Sequence, residues 1–83
     1  MSPKLKRLSA AEIISSFKKI GFEFERQKGS HIKLRRIDST TNQRQTITIP
    51  NHKEIATGTL RVIARQASRY LAKEQTSDIF YSE

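Results

Sequence analysis

Gln27-Lys28-Gly29-Ser30-His31-Ile32-Lys33-Leu34 reads as a tight turn that feeds an alternating strand. Past the glycine, Ile32 and Leu34 alternate with His31, Lys33 and Arg35. That period of two is the mark of a strand with one face on a core and the other in water. Upstream, Phe22-Glu23-Phe24-Glu25 alternates in the same way. Two such runs about a glycine make a β-hairpin.

Parity selects the register. A two-residue loop at Lys28-Gly29 sets Phe24 opposite Lys33 and mixes apolar with charged side chains on one face. A three-residue loop, Gln27-Lys28-Gly29, avoids this and puts Gly29 at its left-handed last position. It pairs Phe24 with Ile32, Phe22 with Leu34, Glu23 with Lys33 and Glu25 with His31, each a sensible cross-strand pair. Phe22 and Phe24 are then core residues. The opposite face carries Glu23, Glu25, His31, Lys33 and Arg35.

Working outward, the segment before the hairpin is a helix. Ser9 with Glu12 forms a capping box, and Leu8 and Ile13 are placed for a hydrophobic staple. Ile13, Phe17 and Ile20 recur at helical spacing. Lys18 and Lys19 suit the dipole of the last turn. Gly21 supplies a left-handed end, with Phe22 folding back onto Phe17. The spacing predicts a helix over 9–20. After the hairpin, 38–43 is a polar loop, and Thr46-Ile47-Thr48-Ile49 is a third strand stopped by Pro50. Ile47 opposite Leu34 and Ile49 opposite Ile32 make the middle strand central. The linker Asn51-His52-Lys53-Glu54 then leaves the end of the sheet that holds His31. Leu60, Ile63, Ala64, Ala67 and Leu71 mark a second helix, N-capped by Thr57 and ending near Glu74.

The expected fold class is α+β, in the order α-β-β-β-α, with two helices on one face of a three-stranded antiparallel sheet. Eighty-three residues make one domain, 1–83, with a basic leader 1–7, in which Pro3 opposes early helix, and a tail 75–83. The tail's Ile79-Phe80-Tyr81 is too apolar for a plain linker. The chain has no cysteine, so neither disulfides nor thiolate metal sites are available. No apolar run is long enough for a signal peptide or a membrane span, and a cytoplasmic location is expected. Sixteen Lys and Arg against eight Asp and Glu leave a net charge of +8. Such a surplus on a small domain favours a polyanion, nucleic acid first, over a membrane surface.

The order of elements is shared with double-stranded-RNA-binding domains. The residues are more particular. Leu8-Ser9 with Glu12-Ile13, Gly21-Phe22, Gly29-Ser30-His31, Ile47 through Ile49-Pro50-Asn51-His52, and Gly58-Thr59-Leu60-Arg61 with Ile63 together resemble the HicA family of toxins, over roughly residues 5–72. The resemblance implies a dsRBD-like fold and a ribosome-independent mRNA interferase, an endoribonuclease, neutralised by a HicB-type antitoxin. It implies that the histidine of Gly-Ser-His, here His31, is catalytic. The residues from Arg69 onward depart from the family by running past its usual ending, which suggests a longer last helix.

The chemistry is consistent with that implication. RNA carries its own nucleophile, the 2′-hydroxyl. Cleavage needs a base for its proton and cations or N–H groups for the phosphorane charge. Histidine ordinarily exchanges a proton near neutral pH. His31 is the candidate base, and Lys28, Gly29, Ser30, Lys33, Arg35 and His52 are the candidate RNA-binding residues. Gly29 permits a close phosphate approach. Glu25, if opposite His31, orients its ring. No general acid is evident, although His52 lies at the same sheet end. Two histidines without cysteines make a poor metal site, and there is no glycine-rich nucleotide loop, so no metal or cofactor is expected. A non-catalytic RNA-binding module and a pure protein-interaction domain remain the rival readings. Oligomeric state is left open.

Overall fold

The structure is a computed structural model and describes residues 4–82. The elements in order are β1 (Lys4–Leu5), α1 (Ala10–Lys19), β2 (Glu23–Lys28), β3 (His31–Ile37), β4 (Arg44–Pro50), α2 (Thr57–Ala67), α3 (Lys73–Phe80) and β5 (Tyr81–Ser82). Strands β2, β3 and β4 form an antiparallel sheet with β3 central. The α+β, dsRBD-like arrangement expected from the sequence is therefore present. Ile32, Leu34, Ile47 and Ile49 are buried beneath Ile13, Phe17, Leu60 and Ile63 of the helices.

Helix α1 forms as its sequence dictates. The Ser9 hydroxyl accepts from the Glu12 backbone N–H (3.1 Å), and the Glu12 carboxylate accepts from the Ser9 N–H (2.9 Å). The Ser9 backbone N–H first, and the Ser9 side chain second, hold the Glu12 carboxyl below its ordinary range. The box therefore stabilises the fold above the ordinary carboxylate range and loses that contribution as pH falls through the depressed value. We expect Ser9→Ala to cost about 1 kcal/mol, measured by urea unfolding, and to return Glu12 toward its ordinary titration, read by NMR. At the other end Gly21 takes φ +98°. The Gly21 N–H donates to the Lys18 carbonyl and the Phe22 N–H to the Phe17 carbonyl, a Schellman closure. The Phe17 and Phe22 rings meet edge to face at 5.1 Å. Arg36 clamps this end to the sheet, donating to the Ile20 carbonyl (2.9 Å) and to Gln45 Oε1 (2.8 Å) while lying over the Phe22 ring.

The β3–β4 register is the expected one, with Leu34 opposite Ile47 and Ile32 opposite Ile49. The β2–β3 register is not. Lys28 pairs with His31, so the loop is the two residues Gly29-Ser30, with Gly29 at φ +58° in the first position, where a type II′ turn takes positive φ. A bulge at Glu25 shifts the ladder between Phe24 and Arg26. The bulge restores the parity that a three-residue loop was expected to supply. Phe24 now opposes Leu34, and Glu25 does not face His31. Phe22 is core, as expected, but Phe24 is 54% exposed. It lies on the edge strand beside the bulge, where the ladder is disrupted.

The C-terminal half differs more. α2 begins at Thr57 with Ala56, not Thr57, in the cap position, and it ends at Ala67 rather than near Glu74. Ala72 is extended, with its N–H satisfied by the Gln75 side chain, and α3 then starts. The break carries Leu71 and Phe80 into the core. The expected tail is thus a packed helix. Within the expected leader, Lys4–Leu5 pairs with Tyr81–Ser82, and the Lys6 N–H donates to the Phe80 carbonyl (2.8 Å). The Pro3 reading falls on residues 1–3, outside the described residues.

Candidate RNA-cleavage site

The hairpin and β4 together build a groove of about 570 Å³ lined by Arg26, Lys28, Gly29, His31, Lys33 and Thr48. Strand alternation accounts for the set. With Ile32 and Leu34 turned to the core, His31 and Lys33 take the opposite face. Lys28 is the ladder partner of His31, Arg26 that of Lys33, and Thr48 faces Lys33 from β4. His31 and Lys28 are exposed, while Lys33 is half-buried. Among the described residues, no hydrogen bond engages the His31 ring.

Glu25 has a different role from the one expected of it. Its carboxylate, held in the bulge, ion-pairs with Lys33 (3.4 Å) and with Arg44. The bulge thus orients a lysine of the groove rather than the histidine. The Gln27 side-chain amide donates to the Gly29 carbonyl (3.0 Å), bracing the turn.

The remaining candidates divide. The Ser30 carbonyl accepts the Asn51 N–H (2.6 Å), which ties the linker after β4 to the hairpin turn. The linker therefore leaves at the His31 end of the sheet. His52 is exposed, its carbonyl accepts the Ala10 N–H (2.9 Å), and it is not among the residues lining the His31 groove. Arg35 pairs with Glu23 and Thr46 and lines a neighbouring groove instead. Sequence reading missed Arg26 and Thr48. Thr48 follows from the β3–β4 register, but Arg26 joins Lys33 only because of the bulge.

The groove offers an imidazole amid three cationic side chains, beside a backbone that Gly29 leaves open, with no Cβ to cover it. An imidazole and a cationic surface are therefore adjacent. Among the described residues no helix is long and apolar enough to cross a membrane. No curated protein matches the chain. The family model described as the HicA toxin of bacterial toxin–antitoxin systems matches residues 10–68, from the first residue of α1 to Ser68, the C-cap that follows α2. That match spans the entire three-stranded sheet and the groove at its hairpin, and the chain belongs to the HicA toxin family.

Proposed function

We propose that the chain is a metal-independent endoribonuclease acting on mRNA in the cytoplasm, and that a HicB-type antitoxin neutralises it. The proposal treats residues 1–83 as one domain. The observation that carries it is His31 set among Arg26, Lys28 and Lys33 in a single groove. His31 takes the 2′-hydroxyl proton as that oxygen attacks the adjacent phosphorus. The new O–P bond forms as the bond to the 5′-oxygen breaks, and the departing oxygen takes a proton from solvent. The products are a 2′,3′-cyclic phosphate and a 5′-hydroxyl. Lys33, braced by Glu25, and Lys28 hold the developing phosphorane charge, with Gly29 admitting the phosphate to the backbone. The histidine and the lysines supply the base and the charge stabilisation that this reaction needs.

A purified chain is expected to cut a single-stranded oligoribonucleotide in the presence of EDTA and to leave intact the same oligonucleotide carrying a 2′-deoxy sugar at the cleaved position. Cutting of the deoxy substrate rules out attack by the 2′-hydroxyl. Bound but uncut RNA favours the non-catalytic module. Lys33→Gln is expected to weaken RNA binding and to make the slope of log affinity against log salt shallower by about 0.7, the value for one phosphate contact on a single strand. An unchanged slope removes Lys33 from the interface.

A further inference from the structure

Next to the His31 groove, and sharing Arg26 with it, runs a second groove lined by Phe24, Glu25, Arg26, Arg35, Ile37 and Arg44. Three large hydrophobic residues are exposed among the described residues, and two of them, Phe24 (54%) and Ile37 (47%), line this groove. Three arginines surround them. The one carboxylate present, Glu25, is already engaged by Lys33 and Arg44. Exposing an aromatic ring and an isoleucine to water has a cost that a solvated charged face does not require. An aromatic ring amid guanidinium groups matches what an unstacked base and its phosphates need. Arg35, which lines this groove, lies on the same face of β3 as His31, about 13 Å along the strand. An RNA strand seated at His31 and continuing across Arg26 therefore reaches this groove.

We infer that the second groove is a subsite for a nucleotide neighbouring the cleaved one, in which Phe24 stacks on the base and Arg35 and Arg44 contact phosphates. The inference rests on the ribonuclease reading and names its substrate as single-stranded, because a paired A-form base has no free face to stack. The excess of arginine over carboxylate suits the phosphates of such a strand.

The test is fluorescence anisotropy of a labelled single-stranded oligoribonucleotide of mixed sequence with His31→Ala protein, to which Phe24→Ala, Phe24→Trp or Arg44→Gln is added. Phe24→Ala is expected to weaken binding by about five- to a hundredfold, and Phe24→Trp to retain it. Arg44→Gln is expected to weaken binding with a salt slope shallower by about 0.7. A matched duplex is expected to bind less tightly than the single strand. Phe24 is exposed, so the thermal midpoints of the two Phe24 variants should match their parent. Equal affinity of Phe24→Ala and its parent overturns the subsite and leaves the patch to a protein contact. Equal losses for Phe24→Ala and Phe24→Trp overturn stacking. The ribonuclease reading is judged separately, by cleavage with the wild-type chain, and falls if that chain binds RNA without cutting it.

Discussion

His31→Ala is expected to lower the rate of RNA cleavage by about 10²- to 10⁴-fold, the usual contribution of a positioned general base. RNA affinity should change little, because Arg26, Lys28 and Lys33 remain in the groove. The loss should appear in kcat rather than KM, since a base acts on the transition state and adds little to ground-state binding. In cells, induction of the wild-type chain is expected to arrest growth and deplete mRNA, and His31→Ala at equal protein level to do neither. His31 is exposed, so the substitution should leave the thermal midpoint unchanged. Undiminished cleavage by a pure, folded His31→Ala preparation eliminates the residue as the base. Arrest with wild type but without mRNA loss points instead to a binding toxin.

The largest effect on stability is expected far from the groove. Phe80 is fully buried, with its ring 6.1 Å from that of Phe17, which in turn packs on Phe22. Phe80→Ala removes an aromatic ring from the centre of a small core and should cost about 3–5 kcal/mol. A domain of this size has about 4–12 kcal/mol in total, so the variant stands near the edge of folding. Its thermal midpoint should fall by more than about 12 °C in circular dichroism. Residues 69–82 lie beyond the family match, yet α3 brings Phe80 into the core and β5 pairs with β1. A cost below about 1 kcal/mol contradicts that packing and makes α3 an appendage.

The parts legible in the sequence are those governed by neighbours along the chain. The Ser9–Glu12 box, the Gly21 closure with Phe22 on Phe17, and the Asp38–Gln43 loop all close within a few residues, and each stands as read. The β3–β4 register was legible too, because alternating isoleucines and a leucine allow only one pairing that buries them all. His31, Lys28, Gly29 and Lys33 shared a groove on the same reasoning.

The hairpin shows where local reasoning ends. Loop length and bulge have the same effect on parity, so a three-residue loop without a bulge and a two-residue loop with one both keep Leu34 inside. The choice between them is made where Glu25 meets Lys33 of β3 and Arg44 of β4, and the second contact exists only after β4 has joined the sheet. That choice brought Arg26 beside Lys33, took Glu25 from the histidine, and left Phe24 exposed. The C-terminal break was hidden for a related reason. No glycine or proline marks Ala72, and an uninterrupted helix through Leu71 satisfies every local preference. The turn is set by where Leu71 and Phe80 find apolar partners, on Phe17 and the rest of the core. The sequence by itself thus determined the two ends of α1, the faces of β3 and β4 and the placement of His31 on an open basic surface, because short-range hydrogen bonds and side-chain alternation decide them. Only the tertiary structure decided the bulge, the arginine groove and the folded-back third helix, because each depends on burial or charge pairing between segments distant in the chain.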